Sequence, residues 1–264
     1  MKKSEWAGKS WNPVTGCSPI SEACDHCYAR RMSRRLAGRF GYPKDDPFEV
    51  TLHRDKLDER KKKPSTWQKP RRVFTVSMGD LFHDKVPFCW IDDVMREIVS
   101  SPRHTFIMLT KRPERMKQYF SQDPRMYEAP KWPLPNLWLG VTCENQQRAD
   151  QRIPTLLQIP AAVRFVSIEP MLGPVDLVAA GGLSAIDGRR SPAKGLPHLD
   201  WVIVGGETGT AKSRRPMRAG WVRNLVKQCK SSSVPIFVKT YPVRKKLSKR
   251  TDEWPAYARL WQFP

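Results

Sequence analysis

No stretch of this 264-residue chain approaches the ~18–20 consecutive apolar residues that a membrane-spanning helix needs. No membrane partner is therefore expected. The opening MKKSEWAGKS has no apolar core of the kind a secretory signal carries, which leads us to expect a cytoplasmic protein. Thiols stay reduced there, so six cysteines are not read as a disulfide framework. Acidic residues are scarce as well, 26 against 47 Lys and Arg, for a formal charge of +21. That imbalance exceeds what solubility asks of a small domain and points to a polyanion, DNA or RNA, as partner. A basic surface without any nucleic-acid role is the plainer reading. A phosphate-cradling loop is not evident, since Gly205-Gly206-Glu207-Thr208-Gly209 lacks P-loop spacing; a tight strand-to-helix turn suits those glycines equally.

What is present begins with 39% hydrophobic residues, enough to build a core. Short apolar, β-branched runs recur at 73–77 (VFTVS), 105–110 (TFIMLT), 137–142 (LWLGVT), 163–168 (VRFVSI), 201–205 (WVIVG) and 235–240 (PIFVKT). Such runs suit parallel strands covered on both faces. Residues 91–100, 148–157 and 220–230 carry apolar side chains at helical spacing between them. Adding a weaker first strand near 11–15, the alternation predicts an α/β fold: a partial or complete parallel (β/α) barrel of six to seven strands. Its site is expected at the C-terminal strand ends. The barrel is expected to span 1–241, with surface insertions at 41–72 and 179–199. Residues 242–264 read as a basic C-terminal arm carrying Arg244, Lys245, Lys246, Lys249 and Arg250.

Cys17-x6-Cys24-x2-Cys27 lies between the first strand and a helix expected over 28–38. Thiolates bind zinc and iron–sulfur clusters alike, but structural zinc normally takes four ligands. Three cysteines without a fourth favour a [4Fe–4S] cluster with one open iron. His26 is the nearest fourth zinc ligand, awkwardly adjacent to Cys27, and a redox Cys-x2-Cys pair leaves Cys17 unexplained. Cys89 and Cys229 fall in helical patterns and read as packed thiols.

The run Trp11-Asn-Pro-Val-Thr-Gly-Cys17, followed by Ile20-Ser21 and Cys24-x2-Cys27-Tyr28-Ala29, resembles the signature of the phage Gp37/Gp68 family. That family is similar to radical S-adenosylmethionine enzymes of the spore photoproduct lyase type. The likeness continues in order through Ser77-Met-Gly-Asp80-Leu-Phe-His83, Leu109-Thr-Lys-Arg-Pro113, Gly140-Val-Thr-Cys-Glu-Asn145, Ser167-Ile-Glu-Pro-Met171 and Gly205-Gly-Glu207. It departs in the six-residue gap after Cys17, where Cys-x3-Cys-x2-Cys is commonest, in Cys143, where a small aliphatic residue is expected, and in Lys239-Thr240-Tyr241, where Lys-Gln-Trp is expected.

The resemblance implies that S-adenosylmethionine chelates the open iron through its amino and carboxylate groups. An electron from a flavodoxin- or ferredoxin-type donor then yields a 5′-deoxyadenosyl radical that takes hydrogen from the substrate. It implies Ser77, Gly79 and Asp80 at the methionyl amino group, and His26 and Tyr28 beside the adenine. Thr142, Glu144 and Asn145 would meet the carboxylate or ribose, and Ser167 and Glu169 the ribose. Plainer roles stand beside these: Asp80 as a helix cap, Glu144 and Glu169 as partners of arginines such as Arg112. Cys143 and Lys239 end strands, and are read as a hydrogen-atom donor and a substrate contact. For Cys143 inert packing is the competing role.

Arg30, Arg31, Arg34 and Arg35 make the helix after the cluster loop basic, and Arg214 and Arg215 form a second patch. With Lys245 and Lys246 of the tail, and with tryptophans interspersed, they suit single-stranded or flipped-out nucleic acid. The expectation is a radical enzyme, isomerase or lyase in type, that rearranges a thymidine C5 substituent in DNA, as phage DNA hypermodification requires, within a host cytoplasm if a phage encodes it. Repair of a DNA lesion, an RNA or small-molecule substrate, and a non-catalytic zinc-stabilised nucleic-acid-binding protein are the alternatives.

Overall fold

The computed structural model describes residues 6–122, 131–183, 198–210, 213–244 and 246–264. Early strands are β1 (Lys9–Trp11), β2 (Val14–Thr15), β3 (Thr51–Leu52) and β4 (Arg72–Thr75). These are followed by β5 (Thr105–Thr110), β6 (Leu137–Thr142), β7 (Val163–Ile168), β8 (Trp201–Val204) and β9 (Ile236–Val238). A terminal hairpin consists of β10 (Tyr241–Val243) and β11 (Lys246–Ser248). The helices are α1 (Tyr28–Leu36), α2 (Asp55–Asp58), α3 (Phe88–Val99), α4 (Pro113–Phe120), α5 (Gln146–Leu157) and α6 (Ala219–Ser231). Among the described residues no helix is long and apolar enough to cross a membrane.

Seven strands make one sheet in the order β1-β4-β5-β6-β7-β8-β9, with parallel register at β1/β4, β4/β5, β7/β8 and β8/β9. With β1 and β9 at its edges the sheet is open, so the fold is the partial form of the parallel barrel. Each expected apolar run became a strand because both its faces are covered: all four residues of β8 and all three of β9 are buried. The weak first strand lies slightly earlier than expected. Pro13 has no N–H to continue a ladder, so β1 ends at Trp11. Val14–Thr15 pair instead, antiparallel, with β3 of the 41–72 insertion. Helix α4 has no counterpart among the expected helices.

The chain divides into two compact units, 1–139 with 159–162, and 140–158 with 163–264. In the first, α3 buries Ile91, Val94, Met95 and Ile98, and Trp11 is buried with its ring 6.1 Å from that of Phe106. In the second, Trp201 is wholly buried among Phe165, Phe237 and Phe263. The basic tail of this unit differs from the expected arm. After the hairpin it returns along β9, with Val238 N–H donating to the carbonyl of Leu260 at 2.8 Å and Trp261 bridging to Phe237. Buried Trp254 and stacked Trp261 explain why: apolar rings hold a segment whose charges alone would leave it in water. Of the 179–199 insertion, residues 184–197 lie outside the described residues, as does Lys245.

Candidate functional site

Within the first unit the cysteine loop is positioned backbone against backbone. Gly16 has φ of +83°, and a Cβ there would sit 2.0 Å from the carbonyl oxygen of Glu49. Gly79 also comes close on the other side, since its Cβ would meet the carbonyl oxygen of Gly16 at 2.7 Å. Only glycine allows this approach. Gly16 N–H donates to Met78 O at 2.9 Å and Cys17 N–H to Phe48 O at 3.2 Å, which anchors the first cysteine at the end of β2. The other side of the site is the turn after β4. There Val76 has φ of 59°, a left-handed conformation that strains a β-branched residue by about 1–3 kcal/mol. Asn12 steadies this turn: its side-chain oxygen accepts from Ser77 Oγ and Met78 N–H, both at 3.2 Å. The Tyr28 hydroxyl donates to the Ser77 carbonyl.

Cys17 and Cys27 pack against one apolar cluster, Ala29, Tyr42, Phe48 and Met78. Cys24 is near enough to act electrostatically on Cys17. Cys24 N–H donates to Ser21 O at 2.9 Å and Cys27 N–H to Cys24 O at 3.2 Å, so consecutive turns bring the second pair round. Cys27 is the N-cap residue of α1. Burial pushes the Cys17 thiol up to about 11, with Asp80 adding to the rise and Arg112 opposing it. For Cys24 burial also raises the thiol, but Lys111 and hydrogen bonds from the backbone of Ile20 and Ser21 outweigh it and leave it below its ordinary value.

Arg112 is the residue the motif reading placed least well. It is buried, 8% exposed, and its NH1 donates to Cys17 Sγ at 3.3 Å and to Asp80 Oδ2 at 3.1 Å. NH2 donates to the carbonyl and hydroxyl oxygens of Ser18, both at 3.1 Å. The carboxylate of Asp80 accepts further bonds from Thr110 Oγ1 at 2.7 Å, Phe82 N–H at 3.0 Å and Lys111 N–H at 3.3 Å. Asp80, expected at a methionyl amino group, is thus committed to fixing Arg112. The arginine pairing had been expected for Glu144 or Glu169. His83 completes the network. Its Nδ1 accepts from Lys85 N–H at 3.1 Å, so the ring proton belongs on Nε2, which donates to Ser18 Oγ at 2.8 Å. A cavity of about 400 Å³ opens beside Cys17, with Arg30, Arg34, Asp45, Asp46 and Phe48 in its wall. Arg30 lies over the Phe48 ring at 5.4 Å, while Arg31, Arg34 and Arg35 are exposed. His26 is half-buried on the cysteine loop, and Tyr28, the first residue of α1, is exposed.

The second unit gathers the remaining expected residues. Glu144 is wholly buried, and Oε2 accepts from Arg152 NH1 at 2.9 Å; the same guanidinium atom donates to Thr142 O at 2.7 Å. Asn145 caps α5, its Oδ1 accepting from Arg148 N–H at 3.0 Å. Cys143 is wholly buried, with its thiol directed at the Arg148 carbonyl at 3.6 Å and its N–H on Ser167 O at 2.9 Å. Ser167 is likewise buried. Glu169 forms an ion pair with Lys239 at 2.8 Å, and Gly205 leaves room for it, since a Cβ there would lie 3.2 Å from the Glu169 carboxyl carbon. The Glu207 carboxylate receives the Arg215 guanidinium, and Arg215 N–H at 2.8 Å. Arg214, Arg215 and Lys246 all line a second cavity.

Among the described residues, no three His, Cys, Asp or Glu side chains converge closely enough to hold a single metal ion. A cubane asks for something else, one thiolate at each of three separate iron corners, and the thiols that could supply them are Cys17, Cys24 and Cys27. The sequence reading missed Asn12 and Ser18; the signal available was their place in the Trp11–Cys17 motif and directly after it. No curated protein and no solved structure matches the chain. Over residues 1–256 it matches, and so belongs to, the family described as "Protein of unknown function (DUF5131)".

Proposed function

We propose that this protein is a radical S-adenosylmethionine enzyme acting on a thymidine C5 substituent in DNA, the chemistry of hypermodification. The observation that carries the reading is the thiol-rich loop of the first unit: two cysteines on one apolar cluster, the third in electrostatic reach, and a buried guanidinium donating to a thiol sulfur. When bound, the cluster and S-adenosylmethionine supply one-electron cleavage to a 5′-deoxyadenosyl radical. The chain's own task is to hold and insulate the reacting groups. With a cluster bound, Arg112 would balance part of the negative charge that three thiolates bring, and its hydrogen bond to Cys17 would favour electron uptake. Asn12 and Tyr28 hold the Ser77–Gly79 backbone rigid at the lip of the site. The formal charge of +21 and the exposed Arg31, Arg34 and Arg35 of α1 favour a nucleic-acid substrate, and a small acidic protein as electron donor.

The test is anaerobic purification followed by assay of iron, sulfide and visible absorption. Addition of S-adenosylmethionine, dithionite and DNA bearing a modified thymidine should then release 5′-deoxyadenosine and alter the base. Replacing Cys24 by Ala should abolish the absorption and all turnover. Colourless protein carrying zinc, or full iron and activity in Cys24→Ala, would sink the proposal. Cleavage of S-adenosylmethionine with an unaltered base would keep the enzyme class and exclude DNA.

A further inference from the structure

Four cationic side chains of the second unit surround one small cavity. It lies where the loop after β8 meets the β10–β11 hairpin, has a volume of about 130 Å³, and is walled by Arg214, Arg215, Arg244, Lys246 and Glu207. The floor is firm. Gly206 N–H donates to the buried Thr240 hydroxyl at 2.8 Å, and a Cβ on Gly206 would strike Leu247 Cδ1 at 2.7 Å. The hairpin is therefore pressed onto the end of β8 as closely as a glycine permits. One carboxylate, Glu207, is 4% exposed and engaged by the guanidinium and backbone N–H of Arg215. Four positive groups against one negative leave a formal balance of three positive charges around a space that admits a tetrahedral oxyanion. Like charges held this close repel one another, and an anion between them relieves that cost. Arg244 follows Val243 in the short turn that joins β10 to β11, with φ of 54°, the left-handed conformation that such hairpin turns use.

We infer that this cavity binds one phosphate group, held by Arg244, Lys246 and Arg214, with Arg215 kept in place by Glu207. Planar guanidinium groups suit phosphate oxygens in pairs, and Lys246 adds a point charge. The source best matched to a chain of +21 is a backbone phosphate of a nucleic acid. This rests on the nucleic-acid part of the proposed function and is independent of the iron–sulfur part.

The test is a double variant, Arg244→Gln with Lys246→Gln, both positions being exposed and outside the thiol site. Its melting temperature, iron content and visible spectrum should match those of the parent protein. Affinity for a fluorescent single-stranded oligonucleotide should fall about tenfold or more at low salt. The slope of log affinity against log salt should flatten by about one unit per phosphate contact removed, equally for all sequences. Inorganic phosphate should bind the parent protein and compete with the oligonucleotide. Phosphate binding lost in the variant with oligonucleotide affinity intact would support the site but assign it to a free phosphate compound. An unchanged slope together with unchanged phosphate binding would overturn it. Protein that lacks iron yet shows the flattened slope would refute the radical reading and leave this site standing.

Discussion

Arg112 shows how one side chain can tie several motifs together. It reaches from the strand-end sequence Thr110–Pro113 to Cys17 and Ser18 of the cysteine loop and to Asp80 of the turn after β4. Replacing it by Gln removes the only formal charge this side chain supplies but leaves a donor. The midpoint potential of the proposed iron–sulfur centre should become more negative, and with Arg112→Lys the shift should be smaller. Electrochemistry on protein of equal iron content is the measurement; an unmoved potential would leave Arg112 purely structural. Gly16 gives a second test at this scale. Its φ of +83° and the 2.0 Å gap between a would-be Cβ and the Glu49 carbonyl oxygen leave Ala no room. Gly16→Ala should cost more than about 1 kcal/mol in urea unfolding and loosen retention of the proposed cluster. An unaltered midpoint would show that the loop can shift freely.

At the level of elements, α5 follows directly on the Cys143-Glu144 strand end, so its first turn bears on where those residues lie. Asn145 caps it, and Arg148 and Arg152 turn inward to Glu144, at 4.0 and 2.9 Å. Removing the cap with Asn145→Ala should cost about 1 kcal/mol, read as a lower denaturant midpoint at unchanged slope. A smaller loss than about 0.3 kcal/mol would mean that the Glu144 ion pairs position the helix without the cap. The hairpin of β10 and β11 is the other element with a consequence beyond itself. It turns residues of an apparently free basic tail into the wall of a shaped cavity.

For the molecule as a whole the buried histidines set a pH dependence. His53, His83 and His104 are each no more than 5% exposed, and burial is the largest cause holding each below its ordinary value of 6.5. Arg112 adds to the depression at His83, and Arg103, Arg71 and Lys9 add to it at His104. The unfolded chain therefore binds more protons than the folded one below about pH 6.5. The stability these groups contribute is full above that pH and is lost progressively as the pH falls through it toward their folded values. Melting temperature should decline between pH 7 and 5, and His83→Gln should flatten the decline. A flat profile over that range would show that the rings take up protons without cost.

The sequence alone determined the alternation of strands and helices, because parallel strands buried on both faces must be continuously apolar, and that pattern survives without any knowledge of partners. It also determined the thiol set, since three cysteines within eleven residues are local information. Charge was legible as composition, but not its placement. Only the tertiary structure decided that Asp80 and Arg112 pair, that Glu144 turns to Arg152 and Glu169 to Lys239, and that Cys143 faces a helix carbonyl. Each of those choices depends on which strand ends and loops become neighbours, and several partners were chemically acceptable for every carboxylate. The β2–β3 pair and the folded tail follow the same rule: segments far apart in the chain supplied the hydrogen-bond partners and apolar rings that no local pattern could name.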